Sequence, residues 1–571
     1  MADYNFRSRQ ALRGNNENLY RASTSSPYIG DTDATYPFHV TGYGRNGVTY
    51  TSLSGPYHHQ MEPRNSPQLD VDPFCGSSAT TTNHYDYIDH RAERPLIRPS
   101  IMSDTCGITT DTMIIPAARI LEQRSYIVPG KLKITEWFFE VPRLYDSPSS
   151  GSLRLFARSA QKHDKPVEPE DRRRQKTSQP PWLLFLQGGP GFECSPPQYC
   201  PWTKSFTDKG YQMLFLDQRG TGLSTPVSKA VLGGRGDDPV QARYLQAFRA
   251  DNIVRDCEAV RQALTADSGE GKKQWSVIGQ SFGGFCAVNY LSFYPHSLRE
   301  VFLTGGLPPL VNVPDEVYKR LFPKVAERNR IYYDKYPEDI ERVKKIVSML
   351  NTRTVRLSSD GQLTPQRFLQ MGFGLGTHGG VDKLHNIVLR AYTEISTIAF
   401  ITRQTLQSIE DTLGFDTNIL NALLHEPCYC QGQASNWAAE RIMKTLPEFD
   451  WESRLDSTRE PLFFTGEMIF PGTFKSFGEL KQLESVAQDL ANYSSWPQLY
   501  DVEALKKNEV PVFAAVYVDD MYVDFDFSLE TARTIGNCRT YITNSLYHDA
   551  IRTKEEEVFK RLWDLRDDVM D

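Results

Sequence analysis

The stretch Trp275-Ser276-Val277-Ile278-Gly279-Gln280-Ser281-Phe282-Gly283-Gly284 constrains this chain more than any other. A short apolar run leads into Gly-x-Ser-x-Gly, and a second apolar stretch continues from Phe282 towards Phe293, stopped by Pro295. The pattern reads as a buried strand turning sharply into a helix, with Ser281 on the turn. Glycine at the flanking positions removes the Cβ atoms that would hold strand and helix apart. The helix N-terminus beside the serine favours negative charge there. Ser281 is therefore expected to be a nucleophile rather than part of a plain structural turn.

Other segments supply a scaffold for that turn. Trp182–Leu186, Gln212–Leu216 and Glu300–Thr304 are short continuous apolar runs, as strands buried on both faces require, and Gln241–Leu264 carries helically spaced apolar residues between two of them. Leu132–Phe138 and Ser152–Ala157 alternate like the two strands of an opening hairpin. From Pro309 to Arg459 helical signals take over, with Pro314-Asp315 opening one helix and Thr364-Pro365 placed as N-cap and first helical residue of another. Strand signals return at Pro461–Phe464, Val510–Tyr517 and Thr540–Ile542, before a closing helix with Val558, Phe559, Leu562 and Leu565 on one side. Alternation of strand and helix around a nucleophile turn is the layout of the α/β-hydrolase fold, a mostly parallel sheet covered by helices. The expected organisation is a disordered, low-complexity extension over 1–105, a core in two parts over 114–308 and 460–571, and an inserted helical cap over 309–459.

The extension is rich in Ser, Thr, Asn, Tyr, Pro and Gly, has no lysine, and sustains no apolar period. A net charge of −7 over 571 residues leaves no basic footprint for nucleic acid. No apolar run is long enough to span a bilayer, and no secretory signal opens the sequence, so neither a nucleic-acid nor a membrane partner is expected and the default address is cytoplasmic. The nine cysteines lack metal spacing, and Cys194/Cys200 and Cys428/Cys430 are the only close pairs, so reduced thiols and no bound metal are expected. A charged insert between Gln161 and Pro181, with Arg172-Arg173-Arg174, reads as a solvated loop.

A serine hydroxyl needs a base within hydrogen-bond reach and an acid to orient that base, and in this fold the chain order is serine, acid, histidine. Of His296, His378, His385, His425 and His548, only His548 follows a late strand. The acid should leave the strand before it, where Asp519, Asp520, Asp524 and Asp526 cluster; Asp520 is favoured and Asp519 is next. Oxyanion donors are expected from the amide of Phe282 and from Gly188 or Gly189 in Leu186-Gln187-Gly188-Gly189-Pro190-Gly191.

Three motifs in order, Gly188-Gly189-Pro190-Gly191, Asp217-Gln218-Arg219-Gly220-Thr221-Gly222-Leu223-Ser224 and Gly279-Gln280-Ser281-Phe282-Gly283-Gly284, resemble those of proline iminopeptidases. The resemblance runs from about Ile114 to the C-terminus and is to the longer members, which carry an enlarged helical cap. It implies a serine aminopeptidase, without cofactor, that removes an N-terminal proline from peptides with a free N-terminus. It further implies cap glutamates that bind the substrate's α-ammonium: Glu426 in Leu424-His425-Glu426-Pro427 and Glu467 in Gly466-Glu467-Met468, with Glu440 in reserve and Trp437 beside the proline ring. Two departures stand out: Gln187 occupies a position where many members have histidine, and the N-terminal hundred residues have no recognised counterpart in the family. A carboxylesterase or acyltransferase using the same three residues is the alternative enzyme, and a hydrolase-fold scaffold without activity is the alternative outside catalysis.

Overall fold

A computed structural model describes residues 114–163, 179–269 and 271–568. The expected extension over 1–105 and the arginine run of the charged insert lie outside the described residues. All described residues belong to one compact unit. Its frame is a nine-stranded sheet in the order β1-β2-β3-β5-β4-β6-β7-β8-β9. The strands are β1 Arg119–Val128, β2 Leu132–Pro142, β3 Ser152–Lys162, β4 Trp182–Leu186, β5 Gln212–Asp217, β6 Trp275–Gln280, β7 Leu298–Thr304, β8 Val512–Tyr517 and β9 Cys538–Thr543. β1, β2 and β3 pair antiparallel, β3 meets β5 antiparallel, and from β5 to β9 every pairing is parallel.

The continuous apolar runs follow from burial on both faces: every residue of β4, β5, β6 and β8 is buried. Successive side chains of a strand point to opposite faces. Leu184, Leu186 and Val277 accordingly pack with Ile253, Val260 and Tyr290 of the helices Ala250–Leu264 and Phe282–Phe293. Leu183, Phe185 and Ile278 pack with Phe206, Phe559 and Leu562 of the helices Trp202–Asp208 and Glu555–Asp567. The expected Gln241–Leu264 helix is two helices, Asp238–Leu245 and Ala250–Leu264, separated at Arg249, whose backbone is extended. β1 was not anticipated; it lies almost wholly exposed at the sheet edge, and so lacks the half-buried alternation by which a strand is read.

Between β7 and β8 the described chain forms helices, turns and coil, beginning with Pro314–Lys335 and including Thr364-capped Pro365–Leu369. The strand expected at Pro461–Phe464 is absent. These residues are apolar because they are packed, but their backbone is satisfied by cap side chains. Asn329 accepts from the Phe464 N–H at 2.8 Å and donates to the Phe464 carbonyl at 2.8 Å, and Tyr333 donates to the Leu462 carbonyl at 2.5 Å. Among the described residues no helix is long and apolar enough to cross a membrane.

Candidate active site

Ser281 lies between β6 and the Phe282–Phe293 helix with φ of 54°, a left-handed conformation rare for a residue with a side chain. Close approach of backbones enforces the neighbouring glycines. A Cβ on Gly283 would stand 2.0 Å from the Leu186 carbonyl oxygen, and one on Gly284 would stand 2.2 Å from that of Gly306. β4 and the segment after β7 are thereby pressed against the turn, which holds the serine at the ends of the parallel strands.

Two loops from the sheet converge on it. His548, beyond β9, places Nε2 2.9 Å from Ser281 Oγ, and its Nδ1 lies 2.7 Å from Asp520 Oδ2 just past β8. An ionised carboxylate only accepts, so Nδ1–H donates to Asp520 and Nε2 is left to receive the serine proton. Asp520 is buried, and its other oxygen accepts from the amides of Tyr522 and Val523 at 2.8 and 3.1 Å. Asp519 is only half-buried, and the bond to His548 is made by its neighbour. Burial alone would depress the imidazole pKa, but the charge and hydrogen bond of Asp520 outweigh it and raise the pKa above the ordinary histidine value. The Tyr522 ring lies over the imidazole at 4.6 Å between centroids.

On the opposite side, the loop after β4 brings Gly189 to the wall of a small cavity shared with Ser281 and Phe282. Gly188 does not offer its amide there: its N–H donates to Gln187 Oε1 at 3.1 Å. The Asp217–Ser224 motif is the brace behind this loop. Asp217 accepts from the amides of Cys194 and Leu223, and the buried Arg219 grips the buried Asp256 with two hydrogen bonds.

The cavity is small and is lined also by Phe285, His425, Cys428, Tyr429, Glu467 and Tyr522. Burial pushes the Glu467 carboxyl up to about 8, with the charge of His548 opposing and that of Asp520 adding. Burial pushes His425 down to about 4, so its ring is neutral, and its Nδ1 is buried without a hydrogen-bond partner. In sequence His425 carries no mark, beyond its adjacency to Glu426, that sets it apart from an ordinary core or surface histidine of the helical region.

The other cap residues do not join this cavity. Glu426 and Trp437 line a neighbouring one with Ser435 and Ile469. Glu426 is buried, accepts from the Ala439 amide at 2.9 Å through one oxygen, and has the other unpartnered; burial lifts it to about 7, against the pull of that amide. Trp437 donates from Nε1 to Gln488 and packs on Phe474, anchoring the left-handed turn that begins its helix. Glu440 meets Lys444 one helical turn on at 2.8 Å, an ordinary surface pair.

Residues 181–377 match the model of the alpha/beta hydrolase fold. The chain is 45% identical over 457 residues to the proline iminopeptidase aneH of Aspergillus aculeatus, an alignment covering 80% of this chain and 99% of the relative. It is 39% identical over 440 residues to the proline iminopeptidase of Aeromonas sobria, covering 76% of this chain and 97% of that protein. The chain belongs to the proline iminopeptidase family. Both family members lie almost whole within it, and about a fifth of this chain is additional to the aneH match.

Proposed function

We propose that the chain is a serine aminopeptidase that releases an N-terminal residue, preferably proline, through an acyl-enzyme. The observation that carries this reading is the hydrogen-bonded series Asp520–His548–Ser281 ending in a small cavity whose one acidic lining residue is Glu467. Ser281 Oγ attacks the carbonyl carbon of the first residue as His548 Nε2 takes its proton. Asp520 holds the imidazole in the required tautomer and stabilises the imidazolium. The amides of Phe282 and Gly189 donate to the oxyanion. The imidazolium then protonates the leaving amine, the C–N bond breaks, and water, deprotonated by His548, releases the acyl group and returns the proton to Ser281.

Glu467 accounts for the exopeptidase restriction. A buried carboxyl is neutral-biased until a cation arrives, and the substrate's ammonium restores the charged form. Glu426, which lines the other cavity, is the second candidate carboxylate, supported by its unpartnered oxygen. The apolar rings of Phe285 and Tyr429 in the cavity wall suit the pyrrolidine. The names of the two relatives support proline as that residue. A cytoplasmic setting belongs to the same proposal, supported by the seven described cysteines, all of which are free. The test is hydrolysis of proline-β-naphthylamide against its N-acetylated form: the free amine should be turned over at least about a hundredfold faster, and equal rates would remove the role of Glu467.

A further inference from the structure

The loop after β4 is closed by one side chain. Gln187 uses both ends of its carboxamide: Oε1 accepts from the Gly188 N–H at 3.1 Å, and Nε2 donates to the Glu193 carbonyl at 2.9 Å. The two ends of the Gly188–Glu193 segment are thereby tied to one rigid amide plane. The side chain is fixed from two further directions. Its own backbone carbonyl accepts from Gln218 Nε2 at 3.0 Å, and its Oε1 also accepts from Arg552 Nη2 at 3.1 Å. Arg552 belongs to the short helix Ala550–Thr553, just after His548. Gln187 is therefore the point where the loop carrying the base and the loop carrying the glycines are joined.

We infer that Gln187 is a positioning residue for the oxyanion: by occupying the Gly188 amide it leaves Gly189 as the loop's donor to the developing charge, and Arg552 keeps its Oε1 in place. This inference rests on the hydrolase reading of Ser281. A flexible glycine segment has no reason of its own to present one amide rather than its neighbour. Preorganised donors act because they do not reorient when charge develops, so a loop freed at this point loses transition-state stabilisation and leaves ground-state binding unchanged. A structural role alone would lower stability and the amount of active protein but would not separate kcat from KM.

The experiment compares Gln187→Leu, Gln187→His and Arg552→Met with the full-length wild type, using proline-β-naphthylamide kinetics together with inhibition by L-prolinal and by L-prolinol. The aldehyde forms a hemiacetal whose oxygen occupies the oxyanion position, and the alcohol does not. Gln187→Leu should lower kcat by about tenfold or more with KM within about twofold, weaken prolinal by a similar factor and leave prolinol unchanged. Gln187→His, which keeps one donor and one acceptor nitrogen, should recover most of the loss. Arg552→Met, an exposed position, should lower kcat less but in the same direction, and it decides the matter if Gln187→Leu does not fold. Equal weakening of both inhibitors, or a raised KM at unchanged kcat, overturns the inference. A wild type that turns over no aminoacyl amide but hydrolyses short acyl esters refutes the aminopeptidase reading instead, and the same kcat test on the ester still decides the role of Gln187.

Discussion

Asp520 binds His548 through one carboxylate oxygen at 2.7 Å while its other oxygen is held by the amides of Tyr522 and Val523. The acid is thus pinned by backbone on one side and directs the imidazole on the other. Asp520→Asn should keep the fold and lower kcat by roughly 10³–10⁴, because the amide can leave His548 in the wrong tautomer. Asp519→Asn should change kcat less than about threefold. Steady-state kinetics of the two variants check this, and a severe loss in Asp519→Asn with a mild one in Asp520→Asn would reverse the assignment.

On the proposed mechanism the raised pKa of His548 sets the acid limb of activity. The base must be neutral to accept the serine proton, so kcat/KM should rise with pH through a midpoint above the ordinary histidine value of about 6.5. In Asp520→Asn, where burial is no longer outweighed, the residual activity should show that midpoint moved downward. A pH–rate profile with the same acid limb in both proteins would remove Asp520 as the cause.

Much of this site was readable because its determinants are local. Gly279 to Gly284 specify a turn by sterics alone, and the order of strands after it singles out His548. Choosing Asp520 over Asp519 rested on which residue of the turn reaches back, a matter of a few ångströms that happened to follow strand geometry. The cap was less legible. Pro461–Phe464 is as apolar as a strand, but its backbone partners, Asn329 and Tyr333, are about 130 residues away in sequence and carry no periodic signal. Glu426, Glu440 and Glu467 are alike as letters; only packing sends Glu440 to Lys444 and Glu467 to the wall beside Ser281.

That difference gives a prediction for the cap. Glu467→Gln should lower kcat/KM for proline-β-naphthylamide by about a hundredfold or more, since the substrate's ammonium would enter the cavity without a counter-charge. Glu440→Gln should stay within about twofold of wild type, because a solvent-facing pair with the exposed Lys444 contributes little and Glu440 does not line the cavity beside Ser281. Kinetics on the free-amine substrate decide it, and comparable losses in both variants would mean that the cap binds the amine differently.

The tightness of the elbow predicts a structural defect. Gly284→Ala places a Cβ 2.2 Å from the Gly306 carbonyl oxygen, and this obstacle is backbone rather than a side chain that can turn away. Overpacking of this kind should destabilise by about 1–3 kcal/mol or more and displace Ser281, whose carbonyl and amide both lie against Gly306. Urea unfolding combined with fluorophosphonate labelling of the folded fraction measures both effects. Unchanged stability with full labelling would show that the segment after β7 yields freely.

The buried Glu426 and the half-buried Glu467 make stability depend on pH in a direction opposite to that of a salt-bridged carboxylate. Burial pushes the folded-state Glu467 and Glu426 carboxyls up to about 8 and about 7, against an unfolded value of 4.5. Below pH 4.5 both states hold the protons and the contribution is fully present. Between 4.5 and 8 the folded chain holds protons that the unfolded chain has released, so stability falls as pH rises through this window. The melting temperature, measured without substrate, should therefore decline by several degrees from pH 5 to pH 8. Glu467→Gln, which cannot ionise, should flatten the upper part of that decline and raise the melting temperature at pH 8. A substrate-like cation such as L-prolinol should protect the wild type most at pH 8, where ionised Glu467 can pair with it, and should protect Glu467→Gln little. A melting temperature that rises from pH 5 to pH 8 and is unaffected by Glu467→Gln would show that this carboxyl is solvated rather than held in the cavity.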